Sequence, residues 1–370
     1  MTSGSADHEV LQDVADPGIE AFTAKEIAAA IADTSIIIAL KDDMRILDCL
    51  ASVDEDVEVV IILNGSPPNM RDVLSAQPKD AVVTEIPDTG NLGMAYNEGA
   101  RVASGTYLIY MDSDCTFRPG TIRTMVRAVM THPVVKGLVV YGESIRLLSQ
   151  LTARMREYDE GDFVSAQSPP LIIHRGVEEY IGGYHYDPLI HWCEDREFDF
   201  RLQMAGIPVV FLPEAVIYHD VQEGFNNLRS YWRYGIGEGI GQQLGVFTTP
   251  MIPVLWRALD SVRSVIGCAI AKGPLAACYY AMALCAFHTA TLYHLVSDPY
   301  RVRHRFPPTA RRTRTWHPIR QHGTALTPAQ RDCLLRAHHL AGRMVRPADD
   351  LNKFRYRSHV PGVVVADTEV

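Results

Sequence analysis

The sequence predicts an α/β fold, a mixed and mostly parallel sheet with helices on both faces, followed by a helical C-terminal extension. Three observations carry this. From Thr34 onward short β-branched runs alternate with stretches of helical spacing, the pattern of repeated βαβ units. The runs are continuously apolar, as expected of strands covered on both faces. At 370 residues the chain exceeds the roughly 250–300 at which one core stops growing, so a main domain with appended segments is expected. Apolar residues at 47% and charged residues at 21% exclude wholesale disorder and collagen-like classes. The seven cysteines are odd in number and lack CxxC spacing, which reads as buried free thiols in a reducing, cytoplasmic compartment.

The elements follow in order. Residues 1–20 hold five acidic residues and no Lys or Arg, unlike the basic start of a signal peptide, and read as a lead-in. A short amphipathic helix over 20–32 closes this first region, 1–33. The main domain is expected over 34–242. Its first strand is 35–40 (SIIIAL), then a helix over 43–53, a second strand over 57–63 (VEVVIIL), and a turn over 64–68. A third strand over 81–86, a helix rich in small residues over 91–103 and a fourth strand over 106–111 (TYLIYM) lead directly into Asp112-Ser113-Asp114. Beyond these lie a strand at 171–174, a helix opening at Glu194-Asp195 and running to about Ala205, and a strand over 216–218 that ends at His219-Asp220.

Position gives Asp112-Ser113-Asp114 its meaning. Ligands of open α/β sheets bind outside the carboxyl ends of the strands, and a D-x-D there aims two carboxylates into the crevice. Hard divalent cations such as Mn²⁺ or Mg²⁺ are held by such oxygens together with substrate phosphates. Asp54-Glu55-Asp56 matches the same pattern but stands between a helix and a strand start, where a solvated loop is the plain reading. Glu194 and Asp195 suit a helix N-terminus through the macrodipole alone, and a histidine after a strand is most often structural.

Together, however, four ordered segments resemble family-two, inverting, nucleotide-sugar glycosyltransferases of the GT-A fold, a Rossmann-type architecture. They are the run from Asn91 through Gly93 and Asn97 to Asp114; the stretch 172–183 with Glu194-Asp195 and Arg201; the strand ending at His219; and 231–239 (YWRYGIGEG). The resemblance spans about residues 34–241. It implies a metal-diphosphate site at Asp112, Asp114 and His219, and a nucleotide-sugar site from Leu40, Lys41, Asp42, Asn64, Asn91, Gly93, Asn97 and Ser113. It further implies an acceptor side from His191, Trp192 and Glu194, with Asp195 as general base. The donor is a nucleoside-diphosphate sugar, UDP-linked ahead of GDP-linked, and the acceptor a sugar, lipid-linked or small-molecule hydroxyl. One base and no second carboxylate nucleophile imply inversion, by the logic of inverting glycosidases.

The chain also departs from the family. It has Ala39-Leu40-Lys41-Asp42 where a proline and a small polar residue are usual, Leu63 where the second strand usually ends in an acidic residue, and Tyr96 where a polar residue is frequent. The Q-x-x-R-W motif of processive synthases is absent, which implies transfer of a single sugar. The Leu63 substitution motivates a second reading, a catalytically inactive carbohydrate- or partner-binding protein on the same fold.

After the main domain, residues 243–299 are largely apolar, and 274–296 contain no Asp, Glu, Lys or Arg, long enough to span a bilayer. Spanning, lying in the interface, and packing in a core or homo-oligomer are all open. The extension 300–370 is basic: residues 300–346 carry eleven Lys or Arg against Asp332 alone, a formal charge of +10 that leaves −19 on the rest. An apolar helix followed by such a segment suits an anionic membrane surface, hence a peripheral location at the inner face of the membrane; docking on the acidic domain suits it equally. No recognition module accompanies the charge, so no nucleic-acid partner is expected. Gly235, Gly237, Gly239 and Gly241 alternate just before this region and read as a flexible anion-binding loop or a hinge.

Overall fold

A computed structural model of the chain describes residues 22–299 apart from 78–79, 143, 162–164, 182, 206, 223 and 245–250. The expected lead-in over 1–20 and the basic extension beyond 299 lie outside the described residues.

The chain runs α1 (Ala24–Ala32), β1 (Thr34–Leu40), α2 (Ile46–Ala51), β2 (Glu58–Asn64), α3 (Asn69–Ser75), β3 (Val82–Ile86), α4 (Leu92–Val102) and β4 (Tyr107–Asp112). It continues with β5 (Cys115–Phe117), α5 (Thr121–Val129), β6 (Val134–Tyr141), α6 (Leu147–Gly161), β7 (Leu171–His174) and a 3-10 turn over Arg175–Tyr180. Then come α7 (Glu194–Ala205), β8 (Val210–His219), α8 (Gly224–Gln243), α9 (Met251–Lys272) and α10 (Pro274–Ser297). α3, β5, α5, β6 and α6 are additions to the sequence reading. β5, with three residues, is too short for a periodicity signal, whereas β6 (VVKGLVVY) is an apolar run that the sequence does display.

The strands form one sheet in the order β3-β2-β1-β4-β7-β6-β8-β5. β1, β2, β3 and β4 pair in parallel, as do β6 and β8; β7 and β5 run antiparallel to their neighbours. The apolar runs are continuous because both faces are covered. Ile36 and Ile38 enter one core with Val59 and Ile61, while Ile37 enters the other with Val60 and Ile62. α4 lies so close on β1 that a Cβ at Gly99 would overlap Ile37 Cγ2, which accounts for the helix's small residues.

A separate apolar cluster joins α6, α8, α9 and α10. Its buried hydroxyls are paired: Tyr231 and Tyr280 both donate to the Asp159 carboxylate at 2.5 Å, and Tyr279 donates to the Gly224 carbonyl at 2.6 Å. The alternating glycines are neither loop nor hinge. They lie inside the 20-residue α8, where a helical glycine costs roughly 1 kcal/mol relative to alanine. Close approach explains three of them: a Cβ at Gly235 would overlap the Phe287 carbonyl of α10, one at Gly237 would overlap the His191 carbonyl, and one at Gly239 would lie 2.7 Å from His294 Cβ. Asp54-Glu55-Asp56 is a loop as expected, but a fastening one, with Asp54 accepting from Gly120 N at 2.6 Å and Glu55 paired to Arg123 at 2.7 Å.

Candidate active site

Asp112 is the last residue of β4, and Ala39 of β1 is its register partner, so its carboxyl stands at the carboxyl edge of the parallel strands. The short β5 then pairs antiparallel with β8, setting Cys115 opposite His219. This pairing explains how residues a hundred positions apart converge. The ligand atoms of Asp112, Asp114, Cys115 and His219 all lie within 4.8 Å of one another. His219 Nδ1 lies 2.7 Å from the Asp220 carbonyl, which only accepts, so Nδ1 donates there and Nε2 faces Asp114 Oδ1 at 3.8 Å. Two carboxylates and an imidazole nitrogen fit a hard divalent cation. Cys115 does not extend the set: burial, with Asp112 and Asp114 nearby, raises its thiol far above the ordinary value, and it stays protonated.

Burial, reinforced by Asp114, pushes the Asp112 carboxyl up to about 6 despite the hydrogen bond from Tyr96. The Tyr96 hydroxyl lies 2.6 Å from Asp112 Oδ1, and its ring is fully buried against Tyr110 and Tyr186. The tyrosine that looked like a departure is therefore a support for the first carboxylate. Arg45 is a site residue that sequence reading passed over. Its guanidinium pairs with Asp43 at 2.6 Å and reaches Asp114 Oδ2 at 3.3 Å and Asp220 Oδ2 at 3.4 Å. No periodicity marks it, because three carboxylates from separate loops define its role.

The residues expected around the nucleotide sugar divide into two groups. Asp42 is exposed, Ser113 and Asn64 are half-buried, and Lys41 pairs with Asp88 at 2.7 Å with both side chains about half exposed. Asn64 accepts from Thr89 N at 3.0 Å, which shapes the loop before α4. Leu40 is buried and offers only its backbone, whose carbonyl accepts from Ser66. Asn91 and Asn97 are committed internally. Asn91 caps α4 through Met94 N and donates to the Pro188 and Ile190 carbonyls at 3.0 and 3.2 Å; Asn97 donates to the Tyr186 carbonyl at 2.6 Å and accepts from Tyr186 N at 3.0 Å. Their amides tie the loop before α7 onto α4. At Gly93 a Cβ would come within 2.9 Å of Tyr186 Cβ and 3.1 Å of Glu194 Cβ, so its role too is close packing. Leu63 points into the core, which leaves Asn64 as the polar side chain at the end of β2.

On the other wall, Trp192 adopts φ 61°, a left-handed conformation costly for a bulky residue, immediately before the Glu194-Asp195 pair. Packing over-determines it: α8 backs the loop at Gly237, the Cys193 thiol meets the Tyr234 carbonyl at 3.2 Å, and Arg196 pairs with the fully buried Glu238. His191 is half-buried, and burial lowers its imidazole below the ordinary value, keeping it neutral. Glu194 is buried with one carboxyl oxygen unpartnered; burial first, then Asp195 and Asp112, raise it to about 8. α4 links the two acidic pairs: Tyr96 donates to Asp112 Oδ1 at 2.6 Å, and one turn earlier a Cβ at Gly93 would lie 3.1 Å from Glu194 Cβ. Arg201 fastens this wall, pairing with Glu197 at 2.7 Å and donating to the Ile181 and Tyr184 carbonyls at 2.8 Å.

Comparison with known proteins bears on the same part of the chain. Residues 35–175 match the family described as Glycosyl transferase family 2. That segment is similar to glycosyl transferase family 2. An uncharacterized glycosyltransferase of Nostoc sp. (strain PCC 7120) is 32% identical over 89 residues, 23% of this chain. The chain spans only 28% of that relative's length. Among solved structures, GalNAc-T7 with UDP, GalNAc and Mn²⁺ matches with 18% identity and a TM-score of 0.43 over 54% of this chain and 47% of its own. S. aureus TarS 1-349 in complex with UDP-GlcNAc matches with 14% identity and a TM-score of 0.42 over 71% and 91%. The matched segment contains Asp112, Asp114 and the α4 run, whereas His219 and the Glu194-Asp195 pair lie beyond it.

Proposed function

We propose that the chain is a metal-dependent, inverting glycosyltransferase that moves one sugar from a nucleoside-diphosphate sugar, UDP-linked by preference, to an acceptor hydroxyl. The observation that carries this reading is the clustering of the Asp112, Asp114 and His219 donor atoms at the strand ends, with α4 reaching both that set through Tyr96 and the Glu194-Asp195 pair through Gly93. Asp112, Asp114 and His219 would hold Mn²⁺ or Mg²⁺, which when bound offsets the negative charge growing on the departing diphosphate. Lys41, Asp42, Asn64 and Ser113 stand along the strand ends to contact the nucleotide and the sugar. Asp195 accepts the proton of the acceptor hydroxyl as its oxygen forms the new bond to the anomeric carbon and the bond from that carbon to the diphosphate oxygen breaks. Glu194, protonated at neutral pH, donates a hydrogen bond rather than competing as base. Neutral His191 and the Trp192 ring line the acceptor side. One displacement inverts the anomeric centre.

The test is calorimetry with UDP, GDP, dTDP and their sugars, with Mn²⁺, Mg²⁺ or EDTA, followed by transfer assays. Asp195→Asn is expected to keep donor affinity and lose about 10²-fold or more in turnover. Asp112→Ala and Asp114→Ala are expected to abolish the metal dependence of donor binding. Unaltered turnover in Asp195→Asn moves the base elsewhere, and absence of nucleotide binding removes the enzyme reading.

A further inference from the structure

α10 has two unlike faces. Its inner face, with Tyr279, Tyr280, Ala283, Thr291 and His294, is buried, and the tyrosine hydroxyls are paired to α6 and α8 partners. The outer face is apolar and open: Leu275, Met282, Leu292, Tyr293 and Val296 are each more than half exposed. α9 adds Val262, Ile266 and Ile270 at spacings of four, with Ile270 at 83% exposure. Helices facing water ordinarily carry charge on that side, yet α10 has no Asp, Glu, Lys or Arg over its 24 residues. Apolar surface of this extent marks a contact site.

We infer that the outer face of the α9 and α10 pair docks on an anionic lipid bilayer. The charge of the chain selects this partner. Residues 300–346, which follow α10 in the sequence, carry +10, including seven arginines between Arg301 and Arg320, and Arg263 beside the α9 stripe is 80% exposed. An anionic bilayer satisfies both features: its acyl boundary takes the apolar face and its phosphates take the arginines, at about 1 kcal/mol for each base held near the surface. The helix lies on the bilayer rather than crossing it, because its inner face is committed to polar partners within the protein, Tyr280 to Asp159 and Thr291 to the Gly235 carbonyl. Docking also bears on the crevice. α8 packs Gly235 and Gly239 on α10 and Gly237 on the loop of His191, so one helix joins the docked hairpin to that loop.

The test is co-sedimentation of the full chain with phosphatidylcholine vesicles, with and without phosphatidylglycerol. Binding is expected with phosphatidylglycerol and should weaken severalfold without it. Ile270→Glu and Leu292→Glu, both on the outer face, should weaken binding about tenfold while melting temperature and nucleotide affinity stay unchanged. Unchanged vesicle binding in both variants would overturn the inference, leaving the basic segment as the sole contact. Absence of vesicle binding, with light scattering showing a dimer that the same variants dissociate, would overturn it in favour of a second copy of this chain. Nucleotide calorimetry on the same samples reports separately on the enzyme reading.

Discussion

Glu194 and Asp195 are adjacent in sequence yet differ in burial. Glu194 is buried, and burial raises its carboxyl from an ordinary 4.5 to about 8, whereas Asp195 is half-buried at the crevice. The folded protein therefore holds a proton on Glu194 that the unfolded chain releases, so stability falls as pH rises through the window from 4.5 to about 8. Glu194→Gln keeps the shape and removes the titration. Its melting temperature should gain on the parent's as pH is raised from about 5 to about 8.5, measured by differential scanning calorimetry. Residue identity and strand position made Asp112 and Asp114 legible in the sequence. The roles of Asn91 and Asn97 were not, because their partners are backbone groups near residue 188, distant in sequence.

At the level of elements, α8 shows how composition misleads without packing. Four alternating glycines argue against a helix on propensity alone, yet Gly235, Gly237 and Gly239 each open room for a neighbour. The register of β5 with β8 is a similar case: three residues bring His219 to the D-x-D, and no local pattern announces them. Gly237→Ala is expected to destabilise by about 1–3 kcal/mol in chemical denaturation, because the added methyl meets the His191 carbonyl. On the proposed function it should also reduce transfer more than donor binding, since the carbonyl it displaces belongs to the loop proposed to line the acceptor. Equal losses in both would show that α8 supports the whole crevice rather than that wall.

Across the whole molecule, the sheet carries Asp112 at a strand end, and the cluster joining α6, α8 and α10 backs the loop of His191 through Gly237. Asp159 sits at the centre of that brace, accepting from two buried tyrosines at 2.5 Å. Asp159→Ala leaves both hydroxyls without their acceptor and should cost about 2–4 kcal/mol in denaturant unfolding, with nucleotide affinity retained wherever the chain stays folded. Loss of nucleotide affinity in the folded variant would show that the brace also shapes the donor side.

Hydrophobic period and turn chemistry are local properties, and by themselves they determined the parallel strands, their order along the chain and the two carboxylates at a strand's carboxyl end. Long-range pairing decided the rest: His219 beside Asp114, Tyr96 and Arg45 against the acidic pair, the glycines within a helix, and the apolar face that α10 leaves open. These depend on which surfaces meet between segments distant in the chain, and the energies of such contacts have no signature in the residues beside them in sequence.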